Sequence, residues 1–201
     1  IKNIDKNKLY EFLREMEFNR LLSQAISFYG ESNNENFKDS TSEKKISKID
    51  RKLYKSILKE SELDLLINEL NEKTVIAVDT ETSSLNPQEA SLVGISISYE
   101  ISKAYYIPVG HKEVNGLKKE LVLKKLKTIL EDPSIKKVGQ NIKYDFIIFK
   151  NHGIKLNSME DTMLLSYTLD AGNNRHNMDT LSEIHLGHKT ISYKDLVGTG
   201  K

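Results

Sequence analysis

Asp79 and Glu81 close the apolar run Thr74-Val-Ile-Ala-Val-Asp79-Thr-Glu81-Thr, with a single residue between them. Successive side chains of a β-strand point to opposite faces, so this spacing sets both carboxylates on the same side of a strand's end. Two such acids repel each other, and a cation or a shared proton relieves the repulsion. Hard oxygen donors of this kind suit Mg²⁺ or Mn²⁺. The plainer alternative is a solvated strand that carries two acids, and the pair alone does not exclude it.

A second group of polar residues lies in Val138-Gly-Gln140-Asn141-Ile-Lys-Tyr144-Asp145-Phe-Ile-Ile-Phe149. Asp145 follows Asn141 by four residues, which places both on one face of a helix's first turns. Here too a plain reading exists, with Asn141 capping the helix and Asp145 a solvated acid near the positive end of the helix dipole. A third acid, Asp161, opens Asp161-Thr-Met and reads as another helix cap.

The elements that must position these residues are legible from periodicity. Val75 to Asp79 reads as a strand, followed by strands over Ala90–Tyr99 and Ala104–Val109. Their short connections predict an antiparallel meander. A helix over Ser61–Leu70, with Ser61 as N-cap, precedes the first strand. An amphipathic helix from Leu117 to Glu131 follows the third, then a short strand at Lys136–Gly139, and then helices over Ile142–His152, Asp161–Asp170 and Met178–Leu186. A meander followed by alternating helices and short strands is an α/β layered domain. The lysines at 118, 119, 124, 125 and 127 read as a solvated helix face rather than a nucleic-acid groove. His176, His185 and His188 lack a metal-ligand spacing and read as surface or capping residues.

Upstream, Leu9, Phe12, Leu13, Met16 and Leu21 recur at helical spacing and predict one amphipathic helix from about Lys6 to Ser27. The stretch from Gly30 to Lys45 is rich in Ser, Asn, Glu and Lys and reads as a flexible linker.

Composition narrows the classes. The 201 residues are 38% hydrophobic, enough for one core and an extension. Thirty basic and 29 acidic side chains leave a net charge of +1, so any nucleic-acid binding must be local rather than a bulk effect. Cysteine is absent, which excludes disulfides and thiolate zinc sites. No apolar run approaches the roughly 18 residues that span a bilayer. The expectation is a cytoplasmic protein that does not associate with membranes, and its Ile1 and Lys201 ends read as cuts within a longer chain.

Taken in order, Asp79-Thr-Glu-Thr-Ser-Ser-Leu85, Tyr106-Ile-Pro-Val109, Gly139-Gln-Asn-Ile-Lys-Tyr-Asp145, Arg175-His-Asn-Met-Asp179 and His188-Lys-Thr-Ile191 form a specific series. From about Tyr54 onward the chain resembles the proofreading-type 3′-to-5′ exonuclease domain of the bacterial polymerase I (family A) enzymes. That domain belongs to the DEDD superfamily and has a ribonuclease H-like fold, a mixed sheet flanked by helices. Upstream, Leu13-Arg-Glu-Met-Glu-Phe-Asn-Arg-Leu-Leu22 is similar to the segment that closes the 5′-nuclease domain of those polymerases. The implied organisation is the end of a 5′-nuclease domain at 1–29, a linker at 30–47 and an exonuclease domain at 48–201.

The resemblance implies two-metal hydrolysis of DNA from its 3′ end, with Mg²⁺ or Mn²⁺ ions about 4 Å apart and nucleoside 5′-monophosphates as products. Asp79 would bridge both ions, Glu81 would complete the shell of the water-activating ion, and Asp145 would act on the second ion through its waters. Leu85 would wedge against the terminal bases. Thr82, Gln140, Asn141 and Tyr144 would hold the terminal nucleotide or its phosphate, while Arg175 would grip the single strand's phosphates and Tyr193 would stack near the frayed end. On residue type alone Leu85 reads equally as core and Tyr144 as an ordinary half-buried aromatic.

The implied partners are a single-stranded or frayed 3′ end of DNA and, in cis, polymerase and 5′-nuclease domains, in a monomeric protein. Family members also carry a Tyr-x-x-x-Asp motif on a later helix that this sequence lacks, so strongly reduced metal affinity and turnover are expected of the chain as it stands. Two alternatives are an RNA exonuclease of the same superfamily and a non-catalytic scaffold module. Loss of the acids would mark a scaffold, and Asp79, Glu81 and Asp145 are all present.

Overall fold

The computed structural model describes residues 4–30, 51–172, 174–191, 195 and 198. The chain divides into two compact units, Ile1–Glu43 and Lys44–Lys201.

In the first unit the single helix expected from the apolar spacing is two: α1 (Lys6–Glu15) and α2 (Asn19–Tyr29). The break is a Schellman turn. Glu17 takes a left-handed conformation with φ of 56°, its N–H donates to Arg14 O at 2.9 Å, and the Phe18 N–H donates to Leu13 O at 2.8 Å. Glycine ordinarily marks such a turn, and with glutamate there the sequence shows no stop. Tyr10 and Leu13 are buried in the hairpin, and the Tyr10 hydroxyl donates to Gly30 O at 2.6 Å.

The second unit is built on a six-stranded mixed sheet in the order β1-β4-β3-β2-β5-β6. The strands are β1 (Tyr54–Ser56), β2 (Val75–Thr82), β3 (Leu92–Glu100), β4 (Lys103–Pro108), β5 (Lys136–Gly139) and β6 (Met159–Asp161). The expected antiparallel meander is β2-β3-β4, while β1 pairs with β4, β5 with β2 and β6 with β5 in parallel. The two edge strands, β1 and β6, were not legible in the sequence because each has only three residues. Short edges of this kind offer little backbone for pairing with another chain.

Helices α3 (Glu60–Asn71), α4 (Lys119–Glu131), α5 (Lys143–Asn151), α6 (Thr162–Leu169) and α7 (Met178–Leu181) complete the unit, with α7 running into a wider π-type turn at Ser182–Leu186. The start of α3 differs from expectation. Glu62 reaches back to accept from the Leu58 and Lys59 N–H groups at 3.0 and 3.1 Å, so Ser61 lies inside the helix rather than capping it. Leu63, Leu66 and Leu70 of α3 and Val122, Leu126, Ile129 and Leu130 of α4 join Ile76, Val78, Ile95, Ile97 and Ile107 of the sheet in one core. Two of the lysines read as a solvated face are tied to neighbouring elements: Lys125 pairs with Glu60 and Asp64 of α3, and Lys127 donates to Gly153 O at 2.7 Å. Lys137 is buried, and its ammonium donates to the Asp132 and Ile135 carbonyls at 2.6 Å each, just beyond the C-terminus of α4.

Candidate nuclease site

Burial alternates along β2. Ile76, Val78 and Thr80 point into the core, and Val75, Ala77, Asp79 and Glu81 line the other face. The strand runs three residues beyond the expected Asp79 end, so both acids are held by sheet pairing, Asp79 opposite Ser96 and Glu81 opposite Gly94 of β3. The register slips between Glu81 and Thr82, a bulge that turns the chain at the acids.

Asp145 approaches from α5, where it is 2% exposed. Its Oδ1 accepts the Thr80 N–H at 2.9 Å and the Thr80 hydroxyl at 2.5 Å. A carboxylate so buried is stable only with such donors. Thr80, set between the two strand acids, is therefore the residue that joins the two halves of the site. One signal for it was available: it is a polar side chain that continues the inward-facing series Ile76, Val78.

The neighbouring carboxylates act on Asp79. Burial, then the nearby charges of Asp145 and Glu81, push Asp79 up to about 6. Burial also raises Asp145, against the opposing hydrogen bonds from Thr80. Among the described residues no group of three or more acid or histidine side chains is arranged to hold a metal ion. The donor set is nonetheless all hard oxygen, and uncompensated negative charge at Asp79 is the condition that a bound divalent cation relieves.

Next to the acids, the Tyr144 hydroxyl lies 2.5 Å from Thr82 Oγ1 and 2.5 Å from Ser84 O, tying α5 to the turn after β2. That turn presents Leu85, which is 96% exposed and is not core. Tyr144 is half-buried, but its hydroxyl is committed to this turn.

Asn141 departs from expectation. It precedes α5, takes a left-handed φ of 56° and is exposed, while Asp145 is buried, so the two do not share a helix face. Its side chain does not cap α5; instead its backbone N–H donates to Asp161 Oδ1 at 3.0 Å. Asp161 also accepts from Met163 N and caps α6, as its position suggested. Gln140 has both ends of its amide occupied, accepting from Thr162 Oγ1 at 2.6 Å and donating to His176 O at 2.7 Å. Arg175 is exposed beside His176, and Tyr193 lies outside the described residues. His176 is half-buried, with Nδ1 2.9 Å from Ser166 Oγ, a more integral place than a surface or capping one.

A further pair borders the strand acids on the same sheet face, through the register Asp79–Ser96–Tyr106. The Tyr106 hydroxyl is 2.6 Å from His111 Nε2, and burial together with the charge of Glu81 raises its pKa. The phenol passes over Gly94, where a Cβ would lie 1.9 Å from the hydroxyl.

A family model described as 3′-5′ exonuclease matches residues 54–201. The chain is 40% identical over 172 residues to DNA polymerase I of Rhizobium leguminosarum, covering 76% of this chain and 17% of that protein. The DNA polymerase I of Pseudomonas aeruginosa is 40% identical over 153 residues, covering 73% and 17%. The chain thus spans less than a fifth of these relatives. Among solved structures the fold is similar to the Aedes aegypti Nibbler EXO domain, at a TM-score of 0.60 and 13% identity over 76% of this chain and 77% of that one. It is also similar to Escherichia coli RNase D, at 0.57 and 22% over 70% and 35%, and to Brucella melitensis NrnC with bound Mg²⁺, at 0.53 and 19% over 74% and 68%. The sheet and its helices have the ribonuclease H-like fold of DEDD exonucleases.

Proposed function

The chain belongs to the 3′-5′ exonuclease family of the polymerase I enzymes, and on that premise we propose that Asp79, Glu81 and Asp145 form the centre of a metal-dependent nuclease that removes nucleotides from the 3′ end of DNA. The observation that carries this reading is the meeting of Asp145 with Thr80 between the two strand acids, beside a half-buried Asp79 that partial burial and the charges of Asp145 and Glu81 raise to about 6.

Asp79 and Glu81, with Asp145 beside them, would hold Mg²⁺ or Mn²⁺, which when bound supplies charge neutralisation at the scissile phosphate and an acidified water. The chain's own residues do the positioning. Thr80 fixes the Asp145 carboxylate, and the Thr82–Tyr144–Ser84 cluster fixes the turn that carries Leu85. A fully exposed leucine on a braced turn suits a wedge between terminal bases, and the exposed Arg175 suits a strand phosphate. Asn141, with its backbone held by Asp161, would meet the terminal nucleotide through its side chain. Tyr193 is assigned to the frayed end on the family motif alone.

The greater length of the relatives supports a larger protein in which 1–29 closes a 5′-nuclease domain, 30–47 links, and a polymerase domain acts in cis on the same DNA. The test is to incubate the full-length protein with 3′-labelled single-stranded DNA in Mg²⁺ or Mn²⁺, with an RNA strand alongside. Mononucleotide release from DNA that Asp79→Ala abolishes supports the proposal. Release from RNA alone, or none with either strand, overturns it.

A further inference from the structure

Gln140 lies in the site motif, yet its side chain faces protein at both ends. Thr162, the first residue of α6, donates its hydroxyl to Gln140 Oε1 at 2.6 Å, and Gln140 Nε2 donates to the His176 carbonyl at 2.7 Å. The His176 ring is held in turn by α6: Nδ1 lies 2.9 Å from Ser166 Oγ, and the ring meets the Tyr167 ring edge-on at 5.3 Å. A short irregular stretch is thus fastened at its backbone and at its imidazole, while the adjoining Arg175 side chain is exposed.

The neighbouring anchor makes the arrangement stiff. Asp161 Oδ1 accepts from Asn141 N at 3.0 Å and from Met163 N at 2.9 Å, so the 140–141 turn and the start of α6 share a carboxylate as well as the Thr162 bond. A primary amide presents an acceptor and a donor on opposite sides of one plane. The His176 carbonyl can only accept, which sets the NH₂ toward it and leaves the Gln140 oxygen to the Thr162 hydroxyl.

We infer that Gln140 is a positioning residue for Arg175, acting through His176, and that Thr162, Ser166 and His176 complete this latch. Gln140 does not grip the DNA itself. An arginine on an untethered segment gives up much of its binding energy to ordering, and a fastened segment avoids that loss. The inference rests on the reading of Arg175 as a phosphate contact, and the experiment separates the two.

Limited trypsin digestion of the 201-residue chain, followed by mass spectrometry, reports the latch without any DNA. Thr162→Val and Gln140→Ala are expected to raise cleavage after Arg175 about tenfold while cleavage after Lys125, within α4, stays unchanged, and Thr162→Ser is expected to restore the parent rate. An unchanged rate after Arg175, or an equal rise after Lys125, overturns the latch. Binding of 5′-fluorescein-labelled oligothymidylate in Ca²⁺ then reports its purpose. Arg175→Ala is expected to weaken binding about tenfold, as loss of one charge-assisted contact does, and Thr162→Val several-fold. In the Arg175→Ala background Thr162→Val and Gln140→Ala should cost nothing further. Additive losses would show that Gln140 contacts DNA itself. No loss in Arg175→Ala would overturn the assignment of Arg175, whatever the digestion shows.

Discussion

Asp145 Oδ1 accepts two hydrogen bonds from one residue, Thr80, through its backbone N–H at 2.9 Å and its hydroxyl at 2.5 Å. This joins the first turn of α5 to the midpoint between Asp79 and Glu81. Thr80→Val keeps the shape and removes the hydroxyl, leaving the buried carboxylate with one donor fewer. We expect a loss of about 1–3 kcal/mol in urea unfolding, with nuclease activity reduced and Thr80→Ser near the parent in both. Equal stability of the Val and Ser variants would show that the hydroxyl is dispensable.

The raised pKa of Asp79 fixes the sign of a pH effect. Its folded value of about 6 lies above the reference 3.8, so between these values the folded state holds more protons than the unfolded state. Stability from this group is therefore lost as pH rises from about 4 to about 6, up to about 3 kcal/mol for the full shift. Carboxylates held below their usual range, such as Glu69 with the Tyr99 hydroxyl beside it, act in the opposite sense, so the measurement must be a difference. Asp79→Asn should be more stable than the parent at pH 7.5 without metal, and the two should converge near pH 4. Thermal melts across that range decide it.

Divalent metal should reverse that ranking. A cation bound by Asp79 and its neighbours stabilises the folded state by mass action. Millimolar Mg²⁺ or Mn²⁺ is expected to raise the melting temperature of the parent, and EDTA to return it, with no response in Asp79→Asn. A metal response of equal size in both proteins would place the cation elsewhere.

Gly94 leaves room for the Tyr106 phenol. Because an added Cβ would lie 1.9 Å from the hydroxyl, Gly94→Ala must displace the ring from His111. Overpacking of this kind costs about 1–3 kcal/mol. The Tyr106→Phe variant, which keeps the ring and loses only the hydroxyl, should cost less, and chemical denaturation of the pair compares them.

Leu85 touches little, at 96% exposure. Leu85→Ala should leave stability within about 0.5 kcal/mol while slowing hydrolysis of frayed duplex ends more than of single strands. A parallel loss on both substrates would argue against a wedge.

Much of this site was legible before folding was considered. The period-2 run from Val75 located β2 and put Asp79 and Glu81 on one face, and the Gly139–Asp145 motif led to α5. Spacing failed where the backbone left regular geometry. A left-handed Glu17 split one helix into two, and a left-handed Asn141 took that residue off the helix it was expected to cap. Strands of three residues, β1 and β6, are too short to show a period.

The sequence by itself determined the carboxylates and the strand and helix that bear them, because these depend on residue type and local period, and its ordered motifs carried the resemblance to the family. Tertiary structure alone decided that Thr80 would be the partner of Asp145, 65 residues away, and that Gln140 would turn toward Thr162 and His176, 22 and 36 residues away. Such pairings arise from how the sheet and helices pack, and a buried polar atom takes whichever donor or acceptor that packing brings within reach.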